Sequence, residues 1–244
     1  MKTFFLLTGS ILFSTIVNCQ KVDYSQDWIR LLESPRYEQF KLKPENYFEK
    51  YKFYDFSRLI KPETEFLGFI GDDYQRIFIK FHSVKKSHSE GTYLVAGNTL
   101  VLNSKCDFSG TIAIKQIREF ENFHFGADQI YRDSGIISQG IIIGNYHLKE
   151  NKNQSHPGEF KGVMSLQWYI NKNEDIIYDK IRLMSSDEYR NNQYVGTWID
   201  YETKEEKTCN WGEYRIPFSG DLDYGSAQFA PRKKYYNKGW GPNK

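Results

Sequence analysis

Long apolar runs are scarce in this chain of 244 residues, and so is cysteine. Beyond residue 17 no stretch approaches the roughly 20 consecutive apolar residues that a spanning helix needs, so no later segment reads as a transmembrane helix. Charge of one sign is also lacking: 33 Lys and Arg stand against 31 Asp and Glu, a formal balance of +2. That near neutrality argues against nucleic acid as a partner, because phosphate binding needs concentrated positive charge. The five histidines, His82, His88, His124, His147 and His156, contain no pair at the i, i+4 spacing of a zinc protease and fall in no Cys/His finger pattern. Ser138, in Gly135-Ile136-Ile137-Ser138-Gln139-Gly140, is one residue out of step with a nucleophile elbow and reads as a strand serine.

What is present first is an address. Lys2 is positive, residues 3–17 form a short apolar run, and Ile16-Val17-Asn18-Cys19 forms a processing site, the three parts of a secretory leader spanning residues 1–19. Cys19 stands where a bacterial lipoprotein carries its acylated cysteine. This predicts an outer-membrane or periplasmic lipoprotein, held to the membrane only through lipid on Cys19. Ile16 and Asn18 depart from the residues usual at such sites, and a plain cut after Cys19, giving a secreted or soluble periplasmic chain, is the alternative. Either outcome leaves Cys106 and Cys209 as a pair in an oxidising compartment. They lie 103 positions apart (209 minus 106), so a disulfide would close a long loop. In the chain-entropy model such a bridge stabilises by about 4 to 5 kcal/mol. Two separate buried thiols are the other reading.

Aromatic residues are abundant, with 18 Tyr, 18 Phe and 5 Trp. Together with β-branched residues they favour strands over helices. Residues 20–62 read as an N-terminal helical segment. Asp23 and Gln26 have capping-box spacing, Trp28, Leu31 and Leu32 form an apolar stripe, and Ser34-Pro35 ends the helix. A second short helix is expected from Pro44, presenting Tyr47, Phe48 and Tyr51 on one face.

From residue 63 to 230 the period changes to two, and one β domain is expected. Ile77, Ile79 and Phe81 share one face of a strand, as do Met164, Leu166, Trp168 and Ile170. Further strands are expected at 92–95, 99–103, 110–117, 136–149, 175–183 and 193–201, with a turn at Ala96-Gly97-Asn98. An aromatic residue precedes glycine by two positions in Phe66-Leu67-Gly68, Phe108-Ser109-Gly110, Phe160-Lys161-Gly162, Tyr194-Val195-Gly196 and Phe218-Ser219-Gly220. Glycine in a strand marks a bend or a close approach. The expected fold is mainly β, an antiparallel meander forming a barrel or sandwich, with the short N-terminal helical segment packed on it. Residues 231–244 read as a solvated basic tail.

Candidate chemistry is sparse. Asp221 and Asp223, before Gly225, begin a calcium-loop pattern whose third acid and distal Glu are absent; they form a weak metal candidate. Asp200, Glu202, Glu205 and Glu206 make an acidic patch interrupted by Lys204 and Lys207, which reads as a solvated hairpin tip. Trp198, Trp211, Tyr214 and Trp240 are the candidate ligand-binding residues, because exported proteins use such rings to stack on sugars or grip partners. No catalytic residue and no cofactor is indicated.

The segments Thr64-Glu65-Phe66-Leu67-Gly68-Phe69-Ile70-Gly71, Cys106-Asp107-Phe108-Ser109-Gly110-Thr111-Ile112, Asn192-Gln193-Tyr194-Val195-Gly196-Thr197-Trp198, Cys209-Asn210-Trp211-Gly212 and Ser219-Gly220-Asp221-Leu222-Asp223 resemble uncharacterised exported proteins and lipoproteins of Gram-negative host-associated bacteria. The resemblance implies an export route and brings no activity or functional residue. Gly196-Thr197-Trp198 also resembles small β-barrel ligand binders. The expected function is an exported cell-envelope domain that binds a glycan, a small molecule or an envelope protein. The alternatives are an envelope hydrolase with an unrecognised site and an assembly lipoprotein that holds a protein partner by an edge strand or its basic tail.

Overall fold

The computed structural model describes residues 24–34, 40–181, 183 and 189–242. The leader, Cys19 and the expected cap Asp23 lie outside the described residues. Nine strands follow three helices: α1 (Tyr24–Glu33), α2 (Phe48–Tyr51), α3 (Ser57–Ile60), β1 (Leu67–Ile70), β2 (Gln75–Lys86), β3 (Thr92–Val101), β4 (Ser104–Glu119), β5 (Ile136–Glu150), β6 (Gly158–Asn171), β7 (Ile176–Tyr178), β8 (Asn191–Asp200) and β9 (Glu206–Glu213). Neighbouring strands pair antiparallel, and eight of them close into a barrel in the order β1-β2-β3-β4-β5-β6-β8-β9, with β9 returning to β1. β7 pairs with β6 over Trp168–Ile170, beyond the point where β8 has left it. Closure pairs both sides of every barrel strand, which removes the open edges that would otherwise recruit other chains.

Period two explains which way each strand faces. Ile77, Ile79 and Phe81 of β2, and Met164, Leu166, Trp168 and Ile170 of β6, are buried together in the interior cluster as their alternation predicts. An eight-stranded barrel has room inside for side chains and little else. Here Phe66, Phe81, Phe108, Tyr146, Phe160, Tyr194 and Trp211 fill the centre, with Tyr194 stacked on Trp211 at 4.8 Å and Tyr146 edge-on to Trp211 at 5.0 Å. So many rings fit only where neighbouring strands carry no side chain. A Cβ on Gly162 or Gly196, which pair across β6 and β8, would come within 2.8 or 2.5 Å of the Tyr146 hydroxyl. This accounts for the echo of ring and glycine two positions apart: ring and gap both point inward. Phe218-Ser219-Gly220 does not belong to it, since Phe218 packs outside the barrel against Trp28.

The two ends of the barrel differ. One is plugged by α2, α3 and the link between them, which send Tyr51, Leu59, Ile60 and the linking Phe56 into the interior cluster. These helices are single turns held by tertiary bonds: Lys86 Nζ donates to the carbonyls of Lys52, Phe53 and Tyr54, and Asn192 Nδ2 donates to Ile60 O at 3.0 Å. Glu119, at the end of β4, binds Lys43 at 2.7 Å, Lys50 at 2.8 Å and the Tyr51 hydroxyl at 2.5 Å. The opposite end, formed by the β1–β2, β3–β4, β5–β6 and β8–β9 connections, stays open.

Outside, α1 lies on β6 and β8 through Trp28, whose Nε1 donates to Ser165 Oγ at 3.1 Å. Ile29 and Leu32 join that contact, whereas Leu31, expected on the apolar stripe, is exposed. The last segment is docked rather than solvated. Residues 233–238 form a short 3-10 helix, and Trp240 is buried with Phe69, Ile216 and Leu222 on the outer face of β1. Lys238 is paired with Asp73.

Several strand assignments change. The expected turn at Ala96-Gly97-Asn98 lies inside the continuous strand β3, and the real turn follows at Leu102-Asn103. Gly97 is there for space, since a Cβ would run into the Lys80 carbonyl oxygen of β2 and sit 2.6 Å from the Phe108 ring of β4. β1 and β9 fall where no strand is expected, and the strand expected at 175–183 is reduced to β7.

Candidate functional site

The open end contains a cavity of about 710 Å³. Ile77, Phe160 and Trp198 give it an apolar lower wall, with Ile70 and Val101 nearer the rim. Its rim is polar: the β1–β2 turn contributes Asp72 and Asp73, the β5–β6 loop His156, and the β8–β9 hairpin Glu205, Glu206 and Lys207. Asp73 is taken by Lys238, and Glu205 by Lys207 at 3.3 Å.

At the base stands Glu150, the last residue of β5, with only 6 % of its surface exposed. Three strands supply donors to it: Thr99 Oγ1 of β3 donates to Oε1, while Gly158 N of β6 and Trp198 Nε1 of β8 donate to Oε2 at 2.8 and 3.0 Å. No basic side chain pairs with it among the described residues. Burial pushes its carboxyl above the usual range, and the Thr99, Trp198 and Gly158 bonds pull only part of the way back. A carboxylate offers about four lone-pair sites, so three donors leave room for one more on Oε1.

The expected binding residues do not converge. Trp198 lines the cavity, and Trp211 lies one layer below it in the aromatic centre. Tyr214 packs outside against Tyr189 at 4.9 Å, and Trp240 is buried on the outer face of β1. They form no exposed cluster. Glu150, Thr99 and Phe160 were missed, and the nearest sequence signal was the acidic hairpin tip, two of whose residues reach the rim.

Cys106 and Cys209 are separate buried thiols, not the expected disulfide. They sit on β4 and β9, with β1, β2 and β3 between them, so half the circumference of the barrel separates them. Burial pushes Cys106 up to about 11 and Cys209 well above its ordinary value. Thiolate is therefore scarce at neutral pH and both should react slowly in the native state. Titration of the chain from Gln20 onward with a thiol reagent, without reductant, is expected to count two thiols on denaturation; a count of zero would mean a bridge.

The weak metal candidate also resolves into protein contacts. Asp223 pairs with Arg215 at 2.6 Å, and Asp221 is held by Lys234 and the Tyr235 hydroxyl. Among the described residues no group of three or more His, Cys, Asp or Glu is placed to hold a metal ion.

One buried His/acid pair lies elsewhere in the fold. His124 Nε2 lies 2.9 Å from Asp179 Oδ2, both buried. It is not in the cavity, and its partners are packing contacts: Gln139 Nε2 donates to Asp179 at 3.2 Å, the Ile181 amide donates to it at 3.0 Å, and Phe40 and Phe120 flank the ring. No family model, curated protein or solved structure matches this chain.

Proposed function

We propose that this chain is an exported cell-envelope protein whose barrel binds a small amphipathic molecule in the cavity at its open end. The observation that carries the reading is the asymmetry of the barrel, plugged at one end and hollow at the other. Ligand pockets typically span about 300–1,000 Å³ and combine apolar walls with a few convergent polar groups. This cavity has that size, those walls and one buried carboxylate at its base. The export part of the reading is supported by the composition of residues 1–19, and intact mass of the N-terminus from envelope fractions tests it. A diacylglyceryl adduct on Cys19 marks a lipoprotein, and a start at Gln20 marks a free chain.

The binding part is tested with a neutral, environment-sensitive probe, N-phenyl-1-naphthylamine. Saturable fluorescence enhancement is expected with a dissociation constant in the micromolar range. Val101→Trp, which fills the upper wall, should weaken it at least tenfold. Absence of saturable binding to the wild-type chain would sink the reading.

A further inference from the structure

Resting on that reading, we propose that the ligand of the mouth cavity is an organic amine, an apolar body carrying a protonated nitrogen, and that Glu150 is its anchor. Three observations lead there. Glu150 is a nearly fully buried acid in a hollow large enough for a ligand, it has no basic partner among the described residues, and one lone-pair site on Oε1 remains. Buried charges in proteins are paired or else neutralised by a proton, so an ammonium entering the cavity would supply the counter-ion that Glu150 lacks among the described residues. The residues around the cavity carry the matching sign: Asp72, Asp73, Glu150, Glu205 and Glu206 face Lys207 and Lys238. The aromatic wall is one that takes a cation, since the Lys207 ammonium already lies over the Trp198 ring at 5.8 Å.

The hydrogen bonds already made favour this state. The Thr99, Trp198 and Gly158 donors orient the carboxylate and stabilise its charged form. Against them stands desolvation. An ammonium seated on Oε1 supplies the missing charge, so binding shifts Glu150 toward the carboxylate and its proton passes to solvent. The other titratable groups facing Glu150 are the Cys106 and Cys209 thiols and Tyr201, all neutral around neutral pH, and His156 on the β5–β6 loop. Amine affinity should therefore fall on acidification as Glu150 takes up its proton, and a neutral ligand of the same shape should show no such fall.

The test displaces N-phenyl-1-naphthylamine from the full chain with three eight-carbon competitors that differ in head group: octylammonium, octanol and octanoate. Octylammonium is expected to compete at least tenfold more tightly than octanol, with octanoate weakest. Glu150→Gln, isosteric and neutral, should abolish the amine's advantage over octanol when both are measured on the same variant. Because the competitor series runs on the wild-type protein, it decides the question even if the variant folds poorly. Equal competition by amine and alcohol, tighter binding of octanoate, or no displacement by the amine overturns the proposal while probe binding keeps the cavity reading intact. Failure of the probe itself removes the reading on which the proposal rests.

Discussion

Trp211→Ala is expected to destabilise the protein by about 3 to 5 kcal/mol, the range for truncating a buried aromatic residue. Trp211 is fully buried at the centre of the barrel, stacked on Tyr194 and edge-on to Tyr146 and Phe160. Three of its four walls are thus other rings, too rigid and too tightly ringed by glycines and backbone to collapse into the space. Its Nε1 has no hydrogen-bond partner among the described residues, so the loss is one of packing rather than of a polar contact. Domains are stable by about 5 to 15 kcal/mol, so this single change would remove a large part of the total. Urea unfolding followed by circular dichroism measures it, and Trp211→Phe, which keeps a ring, should lose clearly less. A loss below about 1 kcal/mol for the alanine variant would show that the barrel centre is not the stabilising core.

The second large effect concerns pH and the plug. Burial alone would raise the Glu119 carboxyl; the bonds from Lys43, Lys50 and Tyr51 more than offset this and hold it down at about 2, below the ordinary 4.5. A group whose folded pKa is depressed contributes stability above its unfolded pKa and loses it as pH falls toward the folded one. Stability from Glu119 is therefore complete above about pH 5 and fades between about pH 4.5 and 2. The lowering corresponds to roughly 3 kcal/mol as an upper figure. Lys43 and Lys50 are 37 % and 58 % exposed at the side chain, so water screens them and about 1 to 2 kcal/mol is the expected size. Glu119→Gln should be less stable than the wild type at neutral pH by that amount and should converge with it near pH 2. Denaturant midpoints at a series of pH values check this, and two parallel curves across the window would exclude the role assigned to Glu119. Because Glu119 joins β4 to α2, hydrogen exchange in residues 47–60 should rise in the variant before exchange in the strands.

How much could be read beforehand varied with how one-sided each segment is. β2 and β6 alternate cleanly because one face meets the aromatic interior and the other does not, so their inward residues were legible. β3 was split at Gly97-Asn98 because glycine followed by asparagine is the common chemistry of a tight turn. In this barrel the glycine answers instead to the close approach of the Lys80 backbone on one side and the Phe108 ring on the other, neighbours that local sequence does not reveal. β9 escaped notice because both of its faces are buried. Asn210, pointing out of the barrel, is covered and bonded to Gly196 N and Pro217 O, and the alternation of Cys209 and Trp211 is cut short by Gly212 and by the buried acid Glu213 at the next position on their face.

The sequence by itself determined the class of fold, the inward stripes of rings and glycines and the helical character of the first segment, because these follow from periodicity and residue shape. Closure of the barrel, the plug at one end and the cavity at the other were decided only by tertiary structure. Glu150 shows the reason: at the end of a strand it resembles many other acids in the chain. It becomes a buried carboxylate with three donors and, among the described residues, no counter-ion only when closure brings β3, β6 and β8 around it. The same closure sets Cys106 and Cys209 on opposite walls, a separation that their spacing in the chain could not reveal.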